Sequence, residues 1–157
     1  PAWVVPRKYR PWVLDQGSLT KRLIKASNGD FSVRVTLQGF AFPSYDEQIA
    51  LNIPSRQRAL IREVELVCFG QVWVRARSVI PVSTLTGAEK QLMYLGSKPL
   101  GALLFKSRVM RRSDLEVTAR QAQVNQKLYG RRSVFFLHNK PLLVSEIFMP
   151  CLFDHRE

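Results

Sequence analysis

Residues 60–80, LIREVELVCFGQVWVRARSVI, contain two apolar runs on either side of Gly70. In the first run apolar residues alternate with Glu63 and Glu65, which is the period of two that a β-strand produces. The second run, residues 72–80, is of similar length and rich in valine. Two such runs around a glycine predict an antiparallel hairpin. The sequence leaves its register open, because register depends on the length of the loop.

One charged residue, Arg62, interrupts the apolar face of the first strand of this hairpin. A second, Glu146, interrupts the apolar run 142–149, on the face that it shares with Val144 and Phe148. An ion without a partner inside a protein is costly, so each residue needs either a partner or a function. Two structural alternatives stay open. Arg62 pairs with Glu146 or another acid as a buried salt bridge without a function, or these faces of the strands contact solvent.

The remaining elements are short. Ser18 is a candidate N-cap for a helix that ends at Asn28, and residues 31–37 alternate as a half-buried strand. Residues 86–89 have the pattern of a capping box and predict a helix, which a turn at residues 98–101 follows.

A second hairpin is predicted from residues 133–137 and 142–149, and residues 115–118 are typical of a strand. The segment up to Pro11 is basic and aromatic, and we expect it to run extended over the surface. Hairpins outnumber alternating strand–helix units. The sequence therefore predicts an α+β fold, a largely antiparallel sheet with packed helices, as a single domain over residues 1–157.

The net charge of +12 suits several kinds of partner, among them nucleic acid, acidic membranes and anionic metabolites. No apolar run approaches the ~20 residues of a membrane span, and no secretory signal is recognisable, so we expect a cytoplasmic protein. The two cysteines and two histidines form no ligand cluster, which argues against a metal site and favours buried free thiols. We expect Arg131 and Arg132 to be the solvated start of a strand.

Several strings resemble, in the same order, those of bacterial chorismate lyases. The longest is RSVIPVSTLTG at residues 77–87. The others are GSLTKR (17–22), LGSKPLG (95–101), GRRS (130–133), KPLL (140–143) and EIFMP (146–150). Together they extend over most of the chain.

The resemblance implies an enzyme that converts chorismate to 4-hydroxybenzoate and pyruvate, the first committed step towards ubiquinone, with no metal or organic cofactor. It also implies an internal pocket closed by flap-like segments. We expect a monomer whose partners are the substrate chorismate and the product 4-hydroxybenzoate, with neither nucleic acid nor a membrane span.

The resemblance carries ligand contacts to Leu19, Arg62, Leu100 and Glu146. Arg62 would hold the ring carboxylate, because a guanidinium offers paired donors. Glu146 would contact the hydroxyl end, either handling a proton or aligning the hydroxyl, so Arg62 and Glu146 are the candidate catalytic residues. Leu100 would offer its backbone, and Leu19 stands where enterobacterial enzymes have methionine. For the enolpyruvyl carboxylate, Arg77 is the candidate cation.

Two other classes of function remain as alternatives. A family of bacterial transcription regulators uses a similar fold to bind effectors, but these carry a separate DNA-binding domain, for which we expect no room in 157 residues. A basic nucleic-acid-binding module would show affinity that falls steeply with salt. The chain lacks the aromatic residues interleaved on a basic face that such a module favours.

Overall fold

Seven strands form one sheet in the computed structural model, which describes residues 2–124 and 126–155. Their bounds are β1 (Phe31–Ala41), β2 (Ala59–Cys68), β3 (Gln71–Pro81), β4 (Arg111–Arg112), β5 (Glu116–Gln123), β6 (Gln126–Leu137) and β7 (Lys140–Phe148). The spatial order is β1-β2-β3-β7-β6-β4, and β5 also pairs with β6. All pairings are antiparallel, which confirms the predicted fold class.

Both predicted hairpins are confirmed. The turn between β2 and β3 has Phe69 at φ 52° and Gly70 at φ 73°, and that between β6 and β7 has His138 at 50° and Asn139 at 63°. Two consecutive residues in the left-handed region match the right-handed twist of the flanking strands. These tight turns fix the register that the sequence had left open, and Arg77 lies opposite Glu63.

The helices cover both faces of the sheet. They are α1 (Arg10–Val13), α2 (Leu19–Ala26), α3 (Tyr45–Leu51), α4 (Leu100–Lys106) and α5 (Pro150–Phe153), with 3-10 turns at Ala2–Val4, Arg7–Tyr9 and Gly87–Tyr94. Helices α1, α2 and α5 pack on one end of a face, and α4 and the 3-10 turn Gly87–Tyr94 on its other end. Helix α3 packs on the opposite face through Leu51. In the described part of the chain, no helix has the length and apolarity to cross a membrane.

Side chains on the face under α2 and α4 form four rows across β2, β3, β7 and β6. The outer two rows are apolar: Leu60, Ile80, Leu142 and Phe135 at one end, and Leu66, Val74, Phe148 and Tyr129 at the other. The inner two rows differ: Arg62, Ser78, Val144 and Ser133, then Val64, Ala76, Glu146 and Arg131. Two apolar clusters therefore enclose a polar and charged strip.

Three expectations about local structure are wrong. The N-terminal segment is not extended, because Val5 and Trp12 are buried in the core and fold the segment into short helical turns. Residues 86–89 form no capping box, because the Glu89 carboxylate binds the ammonium group of Lys140 at 2.8 Å and ends up buried. The helix that follows is a 3-10 turn.

Gly130 allows β6 to approach β7 at the position next to Arg131. A Cβ atom added there would lie 2.8 Å from the backbone oxygen of Glu146 and 2.5 Å from Cδ1 of Ile147. Since backbone cannot yield as a side chain can, Gly130→Ala should lower the free energy of unfolding by about 1–3 kcal/mol. Chemical denaturation measures this change.

Gly39 in β1 provides the matched control, since nothing lies within 4 Å of the Cβ that alanine would add. Gly39→Ala should leave stability unchanged or raise it slightly, because alanine restricts the unfolded chain. Equal effects of the two substitutions would contradict the close approach at Gly130.

Candidate active site

A cavity lies between the charged strip of the sheet and the first turns of α2 and α4. The four residues that the sequence predicted for the site all line it: Leu19, Arg62, Leu100 and Glu146. Its volume is about 50 Å³, against about 610 Å³ for an open groove beside Glu89 and His138. We place the site in the cavity despite its smaller size, because three guanidinium groups and a carboxylate converge there, whereas Glu89 in the groove is already paired with Lys140.

Small side chains in the middle of the sheet create the space. β3 contributes Ala76 and Ser78 to the inner rows, directly between the strands that carry Arg62 and Glu146. Arg62 and Glu146 are two strands and one row apart. Neighbouring strands are ~4.8 Å apart and one row spans ~6.7 Å along a strand, so their backbones are separated by roughly 12 Å, a span that suits one six-membered ring between the side chains.

Arg62 is buried, with 2% of its surface exposed. Its guanidinium donates to the carbonyl oxygens of Gly96 (2.8 Å) and Lys98 (2.9 Å) and to Oε1 of Gln38 (3.3 Å). None of these acceptors is charged, and no ion pair among the described residues includes Arg62. Burial lowers the pKa of this guanidinium, but arginine stays protonated at neutral pH. A buried positive charge therefore faces the cavity without a carboxylate partner.

Glu146 pairs with a different arginine. Nε of Arg131 donates to its Oε1 at 2.9 Å, and the side chains of Arg131 and Glu146 are 2% and 13% exposed. Arg131 also donates to the carbonyl oxygens of Val13 (3.3 Å) and Asp15. The alternative of a salt bridge between Arg62 and Glu146 is wrong, and so is the expectation that Arg131 is solvated. β6 begins at Gln126, several residues earlier than predicted, which places Arg131 in the middle of a strand.

Leu19 and Leu100 are the first residues of α2 and α4. The hydroxyl of Ser18 caps α2 by accepting from the Lys21 backbone N–H at 3.2 Å, as predicted. The two helices touch where Gly101 meets Thr20: an added Cβ would lie 2.8 Å from Thr20 Oγ1. Both leucines are nearly buried, and together the two first turns cover the cavity.

Arg112 also lines the cavity, and sequence reasoning missed it. Its guanidinium lies over the ring of Phe135, and donates to Ser133 Oγ (2.9 Å) and to the carbonyl oxygen of Gln16 (2.9 Å). Burial, and after it the nearby charge of Arg131, lowers its pKa. β4, which carries Arg112, has two residues, and a strand so short leaves no periodicity in the sequence.

Arg77, the predicted cation for a second carboxylate, is not part of the cavity. Its guanidinium is held by Glu47 of α3, with Nε 2.8 Å from Oε2 and Nη2 2.9 Å from Oε1. Arg77 lies opposite Glu63 in the hairpin, and both face α3, whereas Ser78 and Arg62 face the cavity. The prediction of Arg77 is therefore wrong because it chose the wrong face of β3.

The fold and the cavity define an α+β domain with an internal cavity whose described lining carries more positive than negative charge. Solved structures of the same fold include the possible transcriptional regulator YydK from Bacillus subtilis subsp. subtilis str. 168, with a TM-score of 0.65 at 12% identity over 89% of this chain and 64% of that one. The ligand-binding domain of a putative GntR-family regulator from Bordetella bronchiseptica gives 0.60 at 15% identity, covering 81% and 87%. At such identities the likeness concerns the fold alone.

Sequence comparison is more specific. The model of the chorismate lyase family matches residues 3–157. A probable chorismate pyruvate-lyase from Methylococcus capsulatus is 43% identical over 152 residues, covering 90% of this chain and 94% of the relative. The chorismate pyruvate-lyase of Salmonella arizonae is 38% identical over 141 residues, covering 90% and 82%. The chain belongs to the chorismate lyase family.

The space above Ala76 provides a test of the cavity. Ala76→Leu would fill it, so we expect the affinity for 4-hydroxybenzoate, measured by calorimetry, to fall by roughly 5- to 150-fold, equivalent to about 1–3 kcal/mol of steric conflict. The control is Ala119→Leu, at an exposed position of β5, which should leave the affinity unchanged. Unchanged binding to both variants would place the ligand elsewhere.

Proposed function

We propose that the protein is a chorismate pyruvate-lyase, which eliminates pyruvate from chorismate to give 4-hydroxybenzoate for ubiquinone biosynthesis. The observation that carries this proposal is the uncompensated Arg62, buried in the same cavity as Glu146. Membership of the chorismate lyase family supports it independently. A buried cation without a carboxylate partner is costly to the folded protein, and an anionic ligand supplies that partner.

Arg62 takes the carboxylate on C1 of the ring. The guanidinium is planar, and its position is fixed by the carbonyl oxygens of Gly96 and Lys98, which accept one N–H from each terminal nitrogen. Such a fixed fork matches the two oxygens of a carboxylate. The first backbone N–H groups of α2 and α4, at Leu19 and Leu100, have no acceptor within their helices, so they can donate to the ligand as well.

Glu146 contacts the other end of the ring, where C4 carries both the hydroxyl group and the proton to be lost. Among the described residues that line the cavity, Glu146 is the one carboxylate. Arg131 fixes its position through the 2.9 Å contact, so Glu146 can accept a hydrogen bond from the hydroxyl and lie beside the C4 proton.

The reaction is a 1,2-elimination. The proton leaves C4, the electron pair of that C–H bond forms the C3–C4 double bond, and the bond between C3 and the ether oxygen breaks. The leaving group is the enolate of pyruvate, which is protonated on its methylene carbon to give pyruvate. The ring becomes aromatic, so much of the driving force is intrinsic, and the residues of the cavity have to orient the ring and receive one proton.

Glu146→Gln tests the proton-handling role, because glutamine has the same shape but cannot accept a proton. We expect turnover, followed as pyruvate release coupled to lactate dehydrogenase, to fall by about 10²- to 10⁴-fold. The matched control is Glu116→Gln, an exposed partner of Arg132 outside the cavity, which should keep wild-type turnover. A glutamine variant of Glu146 that retains half of the wild-type rate would contradict this role.

Arg62→Met tests the carboxylate contact. Removing one partner of a desolvated charge pair costs about 2–5 kcal/mol, so the dissociation constant of 4-hydroxybenzoate should rise by about 30-fold or more. Calorimetric titration measures the constant, and the thermal midpoint shows whether the variant is folded. Wild-type affinity in a folded Arg62→Met protein would mean that another group holds the carboxylate.

A further inference from the structure

The charged residues that line the cavity do not balance one another. Three are arginines, Arg62, Arg112 and Arg131, and one is an acid, Glu146, so the described lining has a net charge of two positive. The single ion pair among these four joins Arg131 to Glu146. Two guanidinium groups, those of Arg62 and Arg112, are left to face an anionic ligand. A ligand with one carboxylate neutralises half of this surplus, and a dicarboxylate neutralises it all.

The positions of these two groups match the shape of the proposed substrate. In chorismate the ring carboxylate is on C1, the hydroxyl on C4 and the enolpyruvyl ether on C3. If Arg62 holds the C1 carboxylate and Glu146 the C4 hydroxyl, the neighbouring C3 substituent must lie at the Glu146 end of the cavity. Across the strands Arg112 belongs to that end: its Nε donates to Ser133 on β6, which lies beyond the Glu146 strand as seen from Arg62, although Ser133 itself is in the row of Arg62. After burial, the charge of Arg131, in the row of Glu146, is near enough to lower the pKa of Arg112.

Arg131 is also at this end of the cavity, but Glu146 already neutralises its charge. Its Nε binds Glu146, and its Nη1 donates to two backbone carbonyl oxygens, those of Val13 and Asp15. Arg112 donates to one hydroxyl group and one carbonyl oxygen, both neutral, and no ion pair among the described residues includes it. Within the described part of the chain its Nη2 donates no hydrogen bond.

We infer that Arg112 binds the carboxylate of the enolpyruvyl group, and this inference rests on the proposed function. The contact holds the leaving group beside Glu146 while the C3–oxygen bond breaks. It distinguishes the substrate from the product: chorismate occupies both guanidinium groups, whereas 4-hydroxybenzoate has a single carboxylate and occupies Arg62 alone.

The test compares two ligands on one variant. In Arg112→Met, the KM for chorismate should rise by about 30-fold or more, as expected for loss of one partner of a desolvated charge pair. The dissociation constant of 4-hydroxybenzoate should change by less than about twofold, because this ligand does not reach Arg112. Arg112→Lys, which keeps the charge but loses the paired donors, should give an intermediate KM and the same affinity for 4-hydroxybenzoate.

Arg111→Met is the matched control, because Arg111 is exposed, lies over Phe136 and does not line the cavity. It should leave both constants at their wild-type values. If Arg112→Met weakens both ligands equally, Arg112 acts through the structure around Gln16 and Ser133, and the inference is wrong. If it weakens neither, the inference is equally wrong. Absence of pyruvate release by the wild-type protein is a different result, since it overturns the proposed function itself.

Discussion

The buried guanidinium of Arg62 is the constraint on which the rest of the site depends. Desolvating a charge costs several kcal/mol even after relaxation, and here the acceptors are two carbonyl oxygens and an amide rather than a carboxylate. Those neutral acceptors satisfy hydrogen bonds without neutralising the charge. The folded protein therefore holds a guanidinium without a carboxylate partner in a fixed position, and under the proposed function the cost is offset when the anionic ligand binds.

The surrounding fold keeps the Arg62 guanidinium buried and fixes its orientation. Apolar rows close the strip on both sides, and the carbonyl oxygens that fix Arg62 belong to the segment that leads into α4. On the other side, Arg112 and Arg131 donate to the carbonyl oxygens of Gln16 and Asp15, in the segment that leads into α2. The covering helices are thus tied to the charged groups beneath them. An anionic ligand that binds these groups should also stabilise the cover, since a ligand that binds the native state alone adds to its stability.

Strand alternation was sufficient to identify Arg62 and Glu146, because a charged residue on an apolar face is visible from sequence. Alternation also excludes Arg77 from the cavity, because Arg77 faces α3 together with Glu63. This conclusion requires the register between β2 and β3, which the Phe69–Gly70 turn sets. Arg131 is predicted at the solvated start of a strand because Gly130, just before it, interrupts the strand pattern, whereas β6 begins at Gln126. Arg112 left no signal, since the position of a two-residue strand is decided by tertiary pairing with β6.

The helices also divide into those that a local sequence signal predicts and those that contacts distant in sequence decide. Ser18 and α2 were predictable from a local cap. Helix α3 is not among the predicted elements, although Ser44 and Glu47 form a true capping box. The similar pattern at residues 86–89 predicts a capping box, yet Glu89 binds Lys140, a residue distant in sequence. A local motif determines the local structure when none of its side chains has a stronger partner elsewhere in the chain. The motif alone does not show whether such a partner exists.

The most direct test of the central claim is a crystal structure of the protein with 4-hydroxybenzoate. The ligand carboxylate should lie within about 3 Å of the Arg62 guanidinium, with the phenolic hydroxyl at a similar distance from the Glu146 carboxylate. A ligand bound outside the cavity, or bound inside it with the hydroxyl at Arg62 and the carboxylate at the opposite end, would contradict the account.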